Sequence, residues 1–296
     1  MADWIDLLDP DRAALEQALP SDVHRDVVDR LLTPLVHDDE PRPRLDGRKT
    51  YVFGVLVMPT IVASQDALYL QEVDFVATRE RVVTVRKSTD RCPPVTLDLP
   101  TSGRAGIMVA ALADTVAEAF LAAVDAIDDE VDAVDDDVEG GDAIALRRRI
   151  RSLRHHLLRV RRVIGPTREA FHRVVDKRVD IEGQELLPHE VEIAFGDAYD
   201  KLLRAVDGLD LARDLLAGAR DYLQAKISND QNEVMKRLTV IASLLLLPTF
   251  IVGLYGQNFR HHFPELAWQY GYLWSWFLIV GTTLLQLWFF RRKRWI

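Results

Sequence analysis

The sequence predicts an α+β domain followed by a very long helix and two C-terminal helices of membrane-spanning length. Three observations carry this prediction. Residues 238–255 and 272–290 are apolar runs whose only ionisable groups are the phenols of Tyr255 and Tyr272. At 18 and 19 residues they match the roughly 17–25 that a bilayer core demands of a helix. Between residues 51 and 87 lie three short runs rich in β-branched and aromatic residues, which read as strands. From about residue 104 to the first apolar run the periodicity is helical.

The chain of 296 residues is 48% hydrophobic and 28% charged, which is ample for a buried core and excludes disorder or a small stapled scaffold. Its net charge of −9 argues against nucleic acid as a partner, because phosphate binding needs a basic face. Cys92 is the single cysteine, so neither an internal disulfide nor a cysteine-rich zinc site is expected. The bulk of the chain is accordingly expected in a reducing cytoplasm. The first twenty residues lack the basic start and apolar core of a signal peptide.

Taken in order, residues 1–103 read as an N-terminal α/β cytoplasmic domain. Helical stretches around 11–19 and 21–32 precede strands at 51–58, 67–75 and 81–87, and a boundary falls near 100–103. Residues 104–187 read as a helical hairpin of opposite charges. Between Asp125 and Asp142 there are ten acidic residues and no basic one, whereas Arg147 to Arg162 contains eight arginines and no acid. Gly140-Gly141 separates the two blocks. Leu121, Val124, Ile127, Val131, Val134 and Val138 recur at three- and four-residue steps, so the acidic block is one face of an amphipathic helix. Two readings stay open: solvated faces that pair for solubility, or an acidic face that concentrates cations near a pore mouth.

From 188 to 255 no strong break interrupts the helical pattern, so a cytoplasmic stalk (188–237) continues into the first membrane helix (238–255). At 1.5 Å per residue such a helix spans roughly 100 Å. Steps of four and three from Asp221 pass through Ala225, Ser228, Asn232, Met235, Thr239, Ala242, Leu246, Thr249 and Gly253. This stripe is mostly small or polar, and a 3.5-residue period keeps one face toward the axis of a left-handed bundle. Small residues also permit close helix packing, which is the plainer alternative. One copy contributes only two spans, too few to enclose a water-filled path, so a symmetric homo-oligomer is implied in which each polar position becomes a ring.

Lys236 and Arg237 precede the first span, and Arg291, Arg292, Lys293 and Arg294 follow the second in a basic tail (291–296). The connecting loop (256–271) holds only Arg260 as a permanent cation. By the positive-inside rule both termini are cytoplasmic and the loop is outside. Trp268, Tyr270, Tyr272, Trp274 and Trp276 form the aromatic belt expected where the second span (272–290) meets the outer interface.

The chain resembles the CorA family of magnesium and divalent-cation channels. The likeness is carried by Asn232-Glu233-Val234-Met235-Lys236, by Leu238-Thr239, by Tyr255-Gly256-Gln257-Asn258-Phe259, and by Pro264-Glu265-Leu266 before a second span that ends in a basic cluster with Trp295. Gly165-Pro166-Thr167-Arg168-Glu169 is read as a turn that precedes the long helix. The family's outer motif is Tyr-Gly-Met-Asn-Phe, so Gln257 is a departure. The resemblance implies a funnel-shaped homopentamer in the inner or plasma membrane, with the long helix lining the pore and the second span facing lipid. It implies a transporter and not an enzyme: Mg²⁺ taken up down its electrochemical gradient, with Co²⁺ or Ni²⁺ as further cargo, and gating by cytoplasmic Mg²⁺. It assigns outer ion capture to Asn258, the end of the pore helix to Gly256, and the lining or constriction of the path to Asn232, Leu238, Leu246, Thr249 and Gly253, with Met235 beside them. Asp221, at the cytoplasmic end of the stripe, is the better candidate for an ion-contacting ring. Asp197 matches a regulatory metal ligand, and Asp38 and Asp39 are the candidates nearest its expected partner. Two alternatives stand beside this one: zinc transport, as in the related ZntB branch, and a membrane-anchored scaffold that conducts nothing.

The chemistry is consistent with the implied cargo. Mg²⁺ sheds water reluctantly, and a ring of amide oxygens accepts hydrogen bonds from its water shell without stripping it. The membrane potential supplies about 2.3 kcal/mol per charge per 100 mV, and twice that for a divalent ion.

Overall fold

Six strands form one sheet: β1 (Ala2–Leu8), β2 (Arg44–Gly47), β3 (Val52–Val62), β4 (Ala67–Ala77), β5 (Arg81–Arg86) and β6 (Ser102–Gly103), in the order β2-β3-β4-β5-β1-β6. The computed structural model describes residues 1–34, 42–62, 67–88, 92–181, 185–257 and 268–295. The chain divides into two units, Met1–Arg220 and Asp221–Ile296.

The three strands expected from β-branched runs are β3, β4 and β5. The first two form an antiparallel ladder running from Val52↔Ala77 to Val62↔Ala67. The sequence reading left β1, β2 and β6 unassigned. β1 lies between β5, with which it pairs in parallel, and β6. Its Asp6 is accommodated because Arg86 of β5 donates to it through Nη2 (2.5 Å) and Nε (3.1 Å). Thr84 Oγ1 also donates to Asp6, at 2.8 Å, and Trp4 Nε1 donates to Thr84 at 3.0 Å.

Both faces of the sheet are covered, which is why β3 and β4 read as near-continuous apolar runs. On one face α1 (Arg12–Ala18) and α2 (Arg25–Leu32) bury Leu15, Val27, Val28 and Leu31 against Phe53, Val55, Val76, Val83 and Val85. Asp11 caps α1 by accepting from Ala14 N at 2.7 Å. On the other face lie α3 (Ala105–Asp137) and α4 (Ala143–Val175). Gly54 of β3 is needed there, because a Cβ would sit 2.1 Å from the Phe75 ring.

Glu72, Asp74 and Lys87 are buried on the α1/α2 side, at 2%, 0% and 5% exposure. Lys87 Nζ lies 2.5 Å from Glu72 Oε1 and 2.8 Å from Asp74 Oδ2, and Arg30 of α2 donates to Glu72 Oε2 at 2.7 Å. The Lys87–Asp74 approach is an ion pair without hydrogen-bond geometry, so neither Asp74 oxygen has a hydrogen-bond partner among the described residues. Burial, reinforced by the neighbouring Glu72, raises the Asp74 carboxyl to about 7 against the pull of Lys87.

The acidic and basic blocks are α3 and α4, joined through Gly140-Gly141 and capped by Asp142, which accepts from Ile144 N and Ala145 N. Val124, Ile127, Val131, Val134 and Val138 are buried as the periodicity predicts, and Leu121 is half-buried. Arg149 links the blocks, donating to Glu130 at 2.9 Å and to Asp137 at 2.8 Å. The segment Gly165–Glu169 is not a turn: Pro166 lies inside α4. Proline removes one amide donor but fits the helical φ. The helix continues because Val163, Ile164, Ala170 and Phe171 hold it in the core, and the buried Thr167 hydroxyl donates to the Val163 carbonyl at 2.8 Å.

Two further helices complete the chain, α5 (His189–Tyr255) and α6 (Gly271–Arg292). α3, α5 and α6 are all long and apolar enough to cross a membrane, but the apolar window of α3 is 56% buried, against 6% for each of the others. Packing against the sheet therefore accounts for the apolar face of α3. Among the described residues the apolar windows of α5 and α6 have no comparable cover.

Candidate functional site

Within the first unit, α5 buries Val191, Phe195, Ala198, Leu202, Ala205, Leu209, Ala212, Leu216 and Ala219, a seam of four- and three-residue steps. Lys201 ties it to α3 through Asp114 (2.7 Å) and through Glu118. These hydrogen bonds raise the Lys201 ammonium above its ordinary range. On the face away from the seam, Asp197, Asp200, Asp207 and Asp214 are all exposed.

In the second unit the stripe read from the sequence is an exposed face throughout. Asp221, Ala225, Ser228, Asn232, Met235, Thr239, Ala242, Leu246, Thr249 and Gly253 are all exposed in the single chain. Three- and four-residue steps back from Asp221 pass through Asp214, Asp207, Asp200 and Asp197, so aspartate recurs every seventh residue from Asp200 to Asp221.

The hydroxyls on this face have a fixed polarity. Thr239 Oγ1 donates to the Met235 carbonyl at 2.8 Å and Thr249 Oγ1 to the Leu245 carbonyl at 2.7 Å. With the donor spent inside the helix, each threonine oxygen keeps its lone pairs for acceptance, the polarity that a cation or its water shell requires. The helix ends where the motif begins. Gly256 N donates to Val252 O at 2.9 Å and Gln257 N to Leu254 O at 3.4 Å, so Tyr255 is the last helical residue and Gln257 is exposed just beyond it. The free carbonyls and the negative end of the helix dipole at such a terminus favour a cation. Asn258 and Phe259 of the motif, and Asp38 and Asp39, lie outside the described residues.

The opposite face of α5 turns toward α6. Val240 is buried, and Ser243, Leu244, Leu247, Pro248, Ile251 and Tyr255 are half-covered. The covered positions of α6 are Gly271, Ser275, Leu278, Ile279, Thr282, Thr283, Gln286 and Phe290, whereas Leu273, Trp276, Phe277, Leu284, Leu285 and Trp288 are exposed. Gln286 Nε2 donates to the Ser243 carbonyl at 3.2 Å. Sequence reasoning missed this residue, although small and polar side chains at helical spacing in an apolar run are the signature of a helix contact in a membrane.

Among the described residues no group of three or more histidine, cysteine, aspartate or glutamate side chains is close enough to hold a metal ion. On the acidic face of α3, burial and the neighbouring Asp125, Asp132 and Asp129 raise the Asp128 carboxyl above the usual range. At the start of α5, hydrogen bonds from His189 and Lys177 lower the Glu192 carboxyl.

The family model described as CorA-like Mg²⁺ transporter protein matches residues 2–292. The cobalt/magnesium transport protein CorA of Thermotoga maritima is 29% identical over 291 residues, spanning 93% of this chain and 81% of that protein. The complete structure of the CorA magnesium transporter from Methanocaldococcus jannaschii matches with a TM-score of 0.78 at 18% identity, over 99% of this chain and 91% of that one. The cytoplasmic domain of ZntB from Vibrio parahaemolyticus matches with a TM-score of 0.54 at 16% identity, over 77% of this chain and 89% of that one. The first of these likenesses shows that the whole fold, an α/β domain with a long helix and C-terminal helices, is shared; the second, to a cytoplasmic domain, shows the fold over 77% of the chain alone.

Proposed function

We propose, because this chain belongs to the CorA-like Mg²⁺ transporter family, that it is a multi-pass channel of the inner or plasma membrane, a funnel-shaped homopentamer passing Mg²⁺ into the cell along α5. The observation that carries this reading is the exposed face of small and polar residues on α5, which runs into the Tyr255-Gly256-Gln257-Asn258-Phe259 motif. Residues 238–255 and 272–290 are the two spans, and both termini are cytoplasmic. Two spans enclose nothing by themselves, so copies related by symmetry must close the path.

The amides of Asn258, with Gln257 beside them, accept hydrogen bonds from the water shell of the arriving ion, at a helix end whose dipole favours positive charge. Below them Gly253, Thr249 and Thr239 offer backbone and hydroxyl acceptors, and Ala242 keeps the path wide. Leu246 and Leu238 narrow it with apolar rings, which gate by expelling water. Met235, Asn232 and Asp221 receive the ion on the cytoplasmic side, and the aspartates of α5 from Asp221 back to Asp200 attract cations along the stalk. The family likeness supports gating by cytoplasmic Mg²⁺ bound between subunits at Asp197 and one of Asp38 and Asp39. The name of the T. maritima relative favours Co²⁺ as further cargo.

Zinc transport is the second reading. It draws on Gln257, the one departure from the family motif, and on the fold shared with the ZntB cytoplasmic domain. Flux of Mg²⁺, Co²⁺, Ni²⁺ and Zn²⁺ into liposomes holding the purified protein decides between them. The Mg²⁺ reading expects saturable Mg²⁺ entry that Asn258→Ala abolishes in an assembled oligomer. Zn²⁺ entry without Mg²⁺ entry supports the second reading, and entry of neither overturns both.

A further inference from the structure

Pro248 interrupts the hydrogen-bond ladder of α5 within its apolar segment. It has no N–H to give the Leu244 carbonyl, and its ring crowds that carbonyl. In hydrocarbon a loosened backbone group is costly, and such breaks persist only where neighbouring side chains support the opened turn. Two side chains bond the carbonyls on either side. Thr249 Oγ1 donates to the Leu245 carbonyl at 2.7 Å, and Gln286 Nε2 donates across from α6 to the Ser243 carbonyl at 3.2 Å. The amide orientation is fixed by chemistry, since only the NH₂ side of Gln286 can donate to a carbonyl.

Gln286 is an expensive choice if it serves only as packing. It is the one amide side chain in α6, and its Oε1 is buried with no hydrogen-bond partner among the described residues. Leaving a buried acceptor unmet is a cost that leucine or methionine would avoid. The bond to Ser243 is what Gln286 gives in return. The turn it meets carries Ala242, Leu246 and Thr249 on the opposite, exposed face, so its geometry sets where those side chains stand.

We propose that Gln286 is a positioning residue for the conducting face. By bonding the Ser243 carbonyl it braces the turn opened by Pro248 and fixes the placement of Leu246 and Thr249. This inference rests on the channel reading above.

The test pairs Gln286→Met, which keeps the volume and removes the donor, with Pro248→Ala, which restores the missing amide. Mg²⁺ flux per assembled oligomer is measured in liposomes, along with the thermal midpoint of the oligomer in detergent. Gln286→Met alone is expected to lower maximal flux at least threefold with the half-saturating concentration unchanged, because outer capture is untouched. In the Pro248→Ala background the same change is expected to alter flux less than 1.5-fold, since the turn no longer needs bracing. Unchanged flux in Gln286→Met, or an equal loss in both backgrounds, overturns the proposal. If Gln286→Met fails to assemble, assembly and conduction by Pro248→Ala/Gln286→Met sustain the proposal, and failure of that pair overturns it. A wild type that passes no divalent ion refutes the channel reading alone. Bracing is then judged by the thermal midpoint: a loss in Gln286→Met that Pro248→Ala abolishes sustains it, and equal losses in both backgrounds overturn it.

Discussion

Replacing Lys87 with methionine isolates the most concentrated electrostatic feature of the α/β domain. The ammonium is 5% exposed and sits 2.5 Å from Glu72 and 2.8 Å from Asp74. Methionine preserves the aliphatic stem and leaves two buried carboxyl groups, of which Arg30 reaches only Glu72. Removing one partner of a buried charged cluster costs about 3–5 kcal/mol. For a unit of this size each kcal/mol shifts the melting temperature by about 2–4 °C, so a fall of roughly 6–20 °C is expected at pH 8. The loss should shrink at pH 5.5. Folding raises the Asp74 carboxyl from 3.8 to about 7, so between those values the folded state holds the proton that the unfolded state has released. Stability therefore falls as pH rises through this window, by roughly 4 kcal/mol at most. Without Lys87 the carboxyl is raised further, and protonation at pH 5.5 relieves the repulsion. Asp74→Asn should remove the slope. The chain's single cysteine provides the assay, because Cys92 is buried at 4% exposure and held by Gln71 of β4, so its thiol is expected to react as the sheet opens. Thiol labelling against temperature on the full-length protein reads the transition. A Lys87→Met shift below about 3 °C that is the same at both pH values refutes the reasoning.

Asp197→Lys is expected to raise severalfold the Mg²⁺ concentration that protects the protein from proteolysis; identical protection curves for variant and wild type count against regulation there. Gln257→Met should leave assembly and Mg²⁺ flux intact but change competition by Co²⁺, Ni²⁺ or Zn²⁺ at least severalfold, because a thioether replaces an oxygen and two donors. Superimposable competition curves would mean that Gln257 does not face the ion. Gly54→Ala should cost about 1–3 kcal/mol through overpacking against the buried Phe75 ring, read as a fall of several degrees in the Cys92 labelling temperature.

The sequence made the locally encoded elements legible and left the non-local ones hidden. β3, β4 and β5 announce themselves through β-branched runs, and α3 through its buried three- and four-residue period. β1 does not, because Asp3 and Asp6 break its apolar run and the place of Asp6 in the sheet depends on Thr84 and Arg86, some eighty positions away. β2 is four residues long and mostly polar, below what pattern reading resolves. Gly165-Pro166 has the composition of a turn, but burial of the flanking residues overrides that preference. On the candidate site, the stripe from Asp221 to Gly253 was readable because one helix supplies all of it. The role of Gln286 was not, because it becomes visible only when α6 is seen against Ser243.

The place of β1 in the sheet also governs the order of events during synthesis. This strand is made before the others of its sheet, yet it pairs with a strand ending at Arg86 and another beginning at Ser102. It therefore has no sheet partner until β5, which ends at Arg86, has emerged. Once Gly103 is out, the sheet has every strand. Translation at about 5–20 residues per second leaves on the order of ten seconds before the apolar stretch near Leu238 is made, longer than the milliseconds to seconds in which mixed α/β domains fold. The sheet can thus close before the membrane helices exist. A slow-folding lesion in β1 or at Arg86 would surface as a fault of membrane insertion and assembly, far from the residue that caused it.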